Sequence, residues 1–312
     1  MIRREFIKTI SAAAAYSTLG TRLAASSISQ STPTQRALIF DAMGEIREVY
    51  PRALVKEILE SGLNAITVTL CDPKTFEHEA FEAAKNGVLH YDRLIEKQSD
   101  LYMKATKVSH IDRARRDGRL AIFYLFQNST QFGRDLDLVD LFYGLGANME
   151  TMADVANAST VPIIVSHTAC EAIYSNTRNT TDKNLRLVAD KGGVIGICQI
   201  RPFVTNVRKG AFGHYLNHIE HAIKVAGVDH ISIGSDRDHR VIEMTDEYIA
   251  ELKREEGNNF DASHWPLFMD KLNGPRRMEV IWDGLRKRGL SEGELDKVMG
   301  LNNYRIYKEV IG

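Results

Sequence analysis

The chain has 312 residues, 44% of them hydrophobic and 26% charged, which suits one large domain with a single core and excludes a fibrous or disordered chain. The 40 lysines and arginines nearly balance the 41 aspartates and glutamates, so the formal net charge is -1. A chain with so small a net charge has no strong electrostatic field that would steer it to nucleic acid or to an anionic membrane. We therefore expect neither of these as a partner.

The first residues of the sequence have the pattern of a twin-arginine export signal. Arg3 and Arg4 precede a mildly apolar, alanine-rich run over residues 9–25 that ends in small residues. The pattern predicts a signal peptide over residues 1–30, cleavage near Ala25 and a periplasmic location; a short amphipathic helix with two solvated arginines is the alternative. Because no other apolar run approaches the roughly 20 residues that span a bilayer, we expect no transmembrane segment.

Residues 36–312 are predicted to form one domain in which strands and helices alternate. Short, apolar, β-branched runs alternate with segments of helical periodicity, which is typical of parallel strands buried on both faces. The predicted strands are Ala37–Phe40, Ala65–Leu70, Leu120–Phe126, Val161–Val165, Val194–Ile200 and Ile231–Gly234. The predicted helices run from Pro51 to Leu59, from Thr181 to Val188 and from His214 to Ala226, and a capping box from Ser291 to Glu294 begins another.

Polar residues follow each of the predicted strands. They are Asp41, Asp72, Gln127, Ser166 with His167, Arg201 and Asp236. In a parallel (β/α) barrel these positions converge on one rim, where the active sites of such barrels lie. A doubly wound open sheet would also collect polar residues at its strand ends, but no glycine-rich phosphate-binding motif follows a strand here. The pattern therefore favours a barrel over a nucleotide-binding fold.

Three stretches of the sequence carry a resemblance to a known family. The first runs from Val161 to Ala169 and continues through Arg178-Asn179 to Ile197, the second runs from His218 to Asp238, and the third from Gly289 to Arg305. With a weaker match over residues 37–143, they resemble the membrane (renal) dipeptidase family of zinc peptidases. The resemblance implies a TIM-type (β/α) barrel and a hydrolase that cleaves a dipeptide or related amide with a free carboxylate.

The resemblance also implies a set of site residues. In the family two divalent metals, normally zinc, activate a hydroxide that attacks the amide carbonyl, which suits two-metal chemistry. By resemblance, His167 is a metal ligand and Arg178 is a bidentate clamp for the substrate carboxylate. Asp236 would be the catalytic group that orients the attacking water or takes its proton.

Other positions depart from the family's metal-binding set. After the first strand the family has a His-x-Asp pair, whereas this chain has Met43 and Glu45, and methionine does not replace imidazole as a zinc ligand. The bridging glutamate of the family is matched by Gln127, a neutral amide that bridges two cations poorly. The ligand set of His167, Glu45 and Gln127 therefore predicts a divalent metal, zinc first, with one ion at most.

The segment between Gly144 and Val161 is shorter than in the family. The family places there a substrate-binding histidine and a second metal-binding histidine, which would fall near Gly146 or Ala147. A barrel that loses part of its wall must open or recruit another element, because an unpaired strand edge is costly. We therefore predict a barrel made incomplete or distorted by an internal deletion, with homo-oligomerisation as one way to complete the wall.

Alternatives to these assignments stay open at the level of the sequence. His167 could be a satisfied core histidine, Asp236 could cap the following turn, and Arg178 could bond loop carbonyls before a helix. Asp41 and Glu45, with His239 nearby, would suit manganese, magnesium or iron as well as zinc. The competing functions are a degenerate member that binds a small carboxylate or runs a metal-free reaction, and a chain with no activity.

Overall fold

A computed structural model of the chain describes residues 37–72, 74–133, 135, 137–138, 141, 147–149, 161–256 and 261–312. All of these residues belong to one unit, Pro33–Gly312. The predicted signal peptide over residues 1–30 lies outside the described residues, so the division of the chain at that point stays a prediction. None of the described helices is long and apolar enough to cross a membrane.

The described strands form two parallel sheets. They are β1 (Ile39–Asp41), β2 (Leu63–Thr69), β3 (Tyr102–Lys104), β4 (Leu120–Phe126), β5 (Ala147–Met149), β6 (Ile164–Thr168), β7 (Val194–Cys198) and β8 (Ile231–Gly234). In the first sheet the order is β1-β2-β4, and β3 and β5 also pair with β4. The second sheet has the order β6-β7-β8.

Helices separate most of these strands. They are α1 (Arg52–Glu60), α2 (Glu77–Lys97), α3 (Ser109–Arg116), α4 (Asp182–Asp190), α5 (Arg201–Val204), α6 (Ala211–Ala226), α7 (Asp246–Glu256), α8 (Arg277–Lys287), α9 (Glu292–Asp296) and α10 (Asn302–Ile311). Short 3-10 turns lie at Thr130–Phe132, Val228–His230, Ala262–His264 and Asp270–Leu272, and a π-helical turn lies at Lys297–Leu301. The predicted capping box is confirmed, because Ser291 and Glu294 exchange hydrogen bonds between side chain and backbone.

Strand burial follows the predicted pattern. All seven residues of β4 are buried, as expected of a strand that is covered on both faces. The predicted bounds of β4 and β8 are confirmed. The strand predicted at Val161–Val165 instead spans Ile164–Thr168, because Pro162 has no amide hydrogen to donate and Val161 is exposed. This shift moves His167 from a loop into the strand.

Hydrogen bonds just beyond β1 and β8 join the two sheets. The Ala42 amide donates to the Ile233 carbonyl at 2.8 Å, and the Asp236 amide donates to the Met43 carbonyl at 2.8 Å. On the other side, β5 and β6 do not pair within the described part of the chain. The strands that the structure describes therefore form an α/β arrangement that is not closed into a full ring, as the shortened segment after Gly144 predicts.

The third stretch of resemblance packs beneath the start of β1 and β8. The Asn303 amide donates to the Phe40 carbonyl at 2.9 Å, and the Asn302 amide donates to the Ile231 carbonyl at 2.8 Å. A Cβ at Gly300 would lie 2.0 Å from the Leu38 carbonyl oxygen, so glycine allows the C-terminal segment to approach β1 closely. These contacts hold the two strands whose far ends carry the candidate site.

Candidate active site at the strand ends

Asp236 follows β8 in an unusual backbone conformation. Its φ is +50°, which makes it the only non-glycine residue with a positive φ in the described ranges. Such conformations are uncommon outside glycine, persist where the surrounding structure fixes them, and cluster at functional sites. Here the hydrogen bond from the Asp236 amide to the Met43 carbonyl fixes the backbone. The side chain is 26% exposed, so it is mostly buried and part of it reaches solvent at the rim.

A bulge in β6 places His167 next to Asp236. The register of β6 against β7 shifts between Val165 and Thr168. At the bulge the Ser166 carbonyl oxygen approaches two glycines so closely that a Cβ would lie 2.0 Å from it at Gly196 and 1.8 Å at Gly234. Only glycine tolerates this approach. The His167 Nε2 atom lies 3.9 Å from Asp236 Oδ2, which is longer than a hydrogen bond but shows that the two groups face each other.

The environment of Asp236 makes its carboxyl titrate near neutrality. Burial raises its pKa to about 7, and the negative charge of Glu45 acts in the same direction. Arg237 and Arg178 lower the pKa and offset part of this rise. A carboxyl with a pKa near the working pH is suited to accept and return a proton. Glu45 and Arg178 are therefore within electrostatic reach of the His167–Asp236 pair.

The predicted metal ligands are less well grouped. The Glu45 carboxylate is bound by Arg47, whose Nε lies 2.6 Å from Glu45 Oε2. Gln127 follows β4 and is partly buried, and it makes no hydrogen bond to the other predicted site residues in the part of the chain that the structure describes. The structure therefore brings His167 and Asp236 together and places Glu45 near them in an ion pair with an arginine.

Arg178 lies on the loop between β6 and α4, and its guanidinium is exposed. It lies 5.5 Å from the centre of the Phe203 ring, a distance at which a cation is attracted to the face of an aromatic ring. Its amide donates to Asn176 Oδ1 at 2.9 Å, which fixes the local turn. The side chain is thus available to a ligand at the rim, as the predicted carboxylate clamp requires.

A buried polar cluster, which the sequence did not reveal, lies beneath the rim. Arg277 of α8 is 1% exposed and donates to the carbonyls of Asp238 at 2.7 Å and Arg237 at 2.9 Å. It also lies 3.0 Å from His239 Nε2. Burial, followed by the charge of Arg277, holds the pKa of His239 well below its usual value. The Nε2 atom of His239 accepts a hydrogen bond from Arg277, so its lone pair is occupied, which argues against its predicted role in an alternative ligand set.

Asp41, at the end of β1, completes this cluster. Its Oδ1 accepts a hydrogen bond from the Ser235 amide at 2.8 Å. Burial raises the pKa of Asp41 to about 6, and Arg277 offsets part of that rise. Arg277 was missed because it lies in a helix about forty residues after β8, and only its burial and hydrogen bonds reveal its importance. The cluster ties the ends of β1 and β8 together below Asp236.

The comparisons with known proteins agree with this geometry. The family model described as membrane dipeptidase (Peptidase family M19) matches residues 147–246, which include both His167 and Asp236. Dipeptidase ataJ of Aspergillus terreus is 30% identical over 162 residues, 51% of this chain and 33% of that protein. An uncharacterized protein in the pqqA 5' region of Klebsiella pneumoniae is 30% identical over 52% of each chain. The chain therefore spans between a third and about half of the length of these curated relatives.

Solved structures share the fold over most of the chain. An amidohydrolase from Pseudomonas aeruginosa superposes with a TM-score of 0.76 at 21% identity, over 89% of this chain and 98% of that one. A metallopeptidase from Rhodobacter sphaeroides was solved with a phosphinate mimic of the dipeptide L-Ala-D-Ala. It superposes with a TM-score of 0.70 at 14% identity, over 88% of this chain and 99% of that one. At these identities the likeness shows the fold alone. The predicted TIM-type fold class is confirmed, and residues 147–246 are similar in sequence to the membrane dipeptidase family.

The described residues do not fit the two-metal centre of that family. No group of three or more histidine, cysteine, aspartate or glutamate side chains could hold a metal ion among them. Met43 is fully buried where the family has a ligand histidine, and the Glu45 carboxylate accepts a hydrogen bond from Arg47. The side chains of residues 142–160 lie outside the described part. The predicted zinc therefore stays a prediction.

Proposed function

We propose that the chain is a dipeptidase-like hydrolase that cleaves a small amide carrying a free carboxylate. The observation that carries the proposal is the pairing of His167 with Asp236 at the strand ends, within the region that matches the dipeptidase family. The pKa of Asp236, raised to about 7 by burial and by Glu45, suits this carboxyl to proton transfer at neutral pH.

The chain's own residues supply binding and proton transfer. Arg178 binds the substrate carboxylate through two parallel hydrogen bonds, and Phe203 supports its guanidinium from one face. The Asp236 carboxylate accepts a proton from water, whose oxygen bonds to the amide carbon. As the C–N bond breaks, the leaving amine takes this proton from Asp236, whose carboxyl His167 faces at the rim.

A second candidate function is a binding protein that keeps the carboxylate pocket without hydrolysis. The ion pair of Glu45 with Arg47 and the buried Met43 favour it, because both occupy positions where the family binds metal. Hydrolysis distinguishes the two candidates, since a binding protein takes up the same ligands without cleaving them.

The test of the proposed function is hydrolysis of a set of dipeptides by the wild type and by Asp236→Asn. We expect kcat of the variant to fall by a factor of about 100 or more, because a positioned general base contributes about that much. Asp72→Asn is the matched control, since Asp72 follows β2 and its carboxylate accepts a hydrogen bond from the Lys74 amide. An Asp236→Asn variant as active as Asp72→Asn would exclude the mechanism, and a wild type that binds dipeptides without cleaving them would favour the binding protein.

We also propose a periplasmic location, which the twin-arginine pattern at Arg3 and Arg4 supports. Replacing both arginines with lysine should hold the protein in the cytoplasm, because the export pathway reads the arginine pair. Arg22→Lys, in the same segment, is the control and should leave export unchanged. Equal export of the double variant, measured by cell fractionation, would rule out the proposed signal.

A further inference from the structure

Arg237 is a buried arginine beside the candidate catalytic pair. It lies between Asp236 and Asp238 just after β8 and is 8% exposed. Its backbone carbonyl accepts a hydrogen bond from Arg277 at 2.9 Å. Its guanidinium makes neither a hydrogen bond nor an ion pair with any residue that the structure describes. The residue is therefore mostly buried, and its cation has no partner among the residues that the structure describes.

The other buried arginines show how unusual this is. Arg201 donates to the carbonyls of Pro266 at 2.8 Å and His264 at 2.9 Å. Arg277 donates to backbone carbonyls in the same way. A guanidinium carries five N–H donors, and a buried charge without hydrogen bonds is costly. Arg201 and Arg277 thus have structural roles that Arg237 lacks.

The neighbouring carboxylates do not satisfy Arg237. Asp238 is bound by Arg240 at 2.6 Å and accepts a hydrogen bond from the Tyr50 hydroxyl at 2.8 Å. Asp236 forms no ion pair with Arg237 among the described residues, and its pKa stays raised to about 7 although Arg237 lowers it. Burial raises the pKa of Tyr248, and the charge of Arg237 opposes that rise, so the cation of Arg237 also acts on Tyr248.

We propose that Arg237 binds a second anionic group of the substrate, so that the preferred ligands are dicarboxylates and amides with an acidic side chain. Arg178 holds one carboxylate and Arg237 holds the other. A neutral substrate would leave the buried guanidinium unpaired, whereas an acidic one would satisfy it with charge-assisted hydrogen bonds. That the ligand is a cleavable amide rests on the proposed function, but the binding of a second anion does not.

Kinetics with matched dipeptides test the preference. Ala-Glu and Ala-Gln differ only in the side-chain charge, and we expect the wild type to favour Ala-Glu by about 10- to 100-fold in kcat/KM, as hydrogen bonds to a charged group allow. Arg237→Met should remove this preference, so that Ala-Glu and Ala-Gln are hydrolysed with similar kcat/KM. Arg240→Met is the control, because Arg240 already has a partner in Asp238, and it should keep the preference.

A binding measurement without hydrolysis separates this inference from the proposed function. Calorimetry should show that glutarate binds the wild type more tightly than its monoamide, glutaramate, and that Arg237→Met abolishes the difference. That result stands even if no dipeptide is cleaved. Equal binding of the two ligands, no binding of glutarate, or an unchanged preference in Arg237→Met would overturn the inference while leaving the hydrolase proposal to its own test.

A second variant distinguishes a binding role of Arg237 from a purely structural one. Arg237→Lys keeps the charge but loses the planar fork, so it should retain part of the preference for the acidic ligand. The midpoint temperature of thermal unfolding of Arg237→Met should be unchanged or raised, because the variant removes an unpaired buried charge. If Arg237→Met unfolds and Arg237→Lys binds glutarate no better than glutaramate, the side chain is structural and the inference fails.

Discussion

At the scale of single residues, Asp236 combines a constrained backbone with a carboxyl whose pKa is raised to about 7. The sequence singled out this residue and His167 because both come at the ends of predicted apolar strands and lie in stretches that resemble the dipeptidase family. It could not predict Arg237 or Arg277, because their importance depends on burial and hydrogen-bond partners that no local pattern encodes. Polar residues at strand ends can therefore be identified from the sequence, but the buried charges that shift their pKa values cannot.

The pH dependence of hydrolysis tests the role of Asp236. A general base must be ionised, so kcat/KM should rise with pH through an apparent pKa of about 7 and level off above it. Glu45→Gln removes a charge that raises this pKa, so the rise should move to lower pH. Glu48→Gln is the control, because Glu48 is exposed and paired with Lys97. A rise that stays at the same pH in Glu45→Gln would contradict this electrostatic coupling.

At the scale of elements, the bulge in β6 positions His167. Most strands were predictable because long apolar runs mark buried strands, and β4 and β8 agree with their predicted bounds. The three-residue strands β3 and β5 were missed, since so short a segment carries no periodicity. The bulge depends on glycines in two neighbouring strands, Gly196 and Gly234, which come together only in the folded sheet.

Gly234→Ala tests this dependence. Its Cβ would lie 1.8 Å from the Ser166 carbonyl oxygen, so the strands must separate, and we expect a loss of about 1–3 kcal/mol in the free energy of unfolding. The rate of hydrolysis should fall by more than the lost stability explains, because His167 moves with the bulge. Gly213→Ala in α6 is the control: its Cβ meets nothing within 4 Å, and it should stabilise the protein by up to about 1 kcal/mol. Similar denaturation curves for the two variants would refute the explanation.

At the scale of the whole molecule, the described strands form two sheets joined at β1 and β8. The sequence predicted an incomplete barrel from the shortened segment after Gly144, but it could not show how the remaining strands meet. That junction depends on Arg277, which binds the loop after β8 from a distant helix. Homo-oligomerisation stays a prediction, which light scattering of the purified protein would test.

Arg277→Met tests the junction. The variant leaves buried carbonyls of Arg237 and Asp238 without their donor and Asp41 without a nearby cation, so we expect the free energy of unfolding to fall by about 3–5 kcal/mol. Arg276→Met is the matched control, because the adjacent Arg276 is exposed and pairs with Glu279 at the surface. That variant should change stability by less than about 1 kcal/mol. Equal denaturation midpoints for the two variants would contradict a structural role for Arg277.

We propose that this chain hydrolyses a carboxylate-bearing amide at a rim whose described residues do not fit a two-metal centre. The most direct measurement is the metal content of purified, active protein, determined by elemental analysis alongside dipeptide hydrolysis with and without added zinc or manganese. We predict hydrolysis with fewer than two metal ions per chain. Hydrolysis that appears only when two metal ions are bound per chain would rule out this proposal.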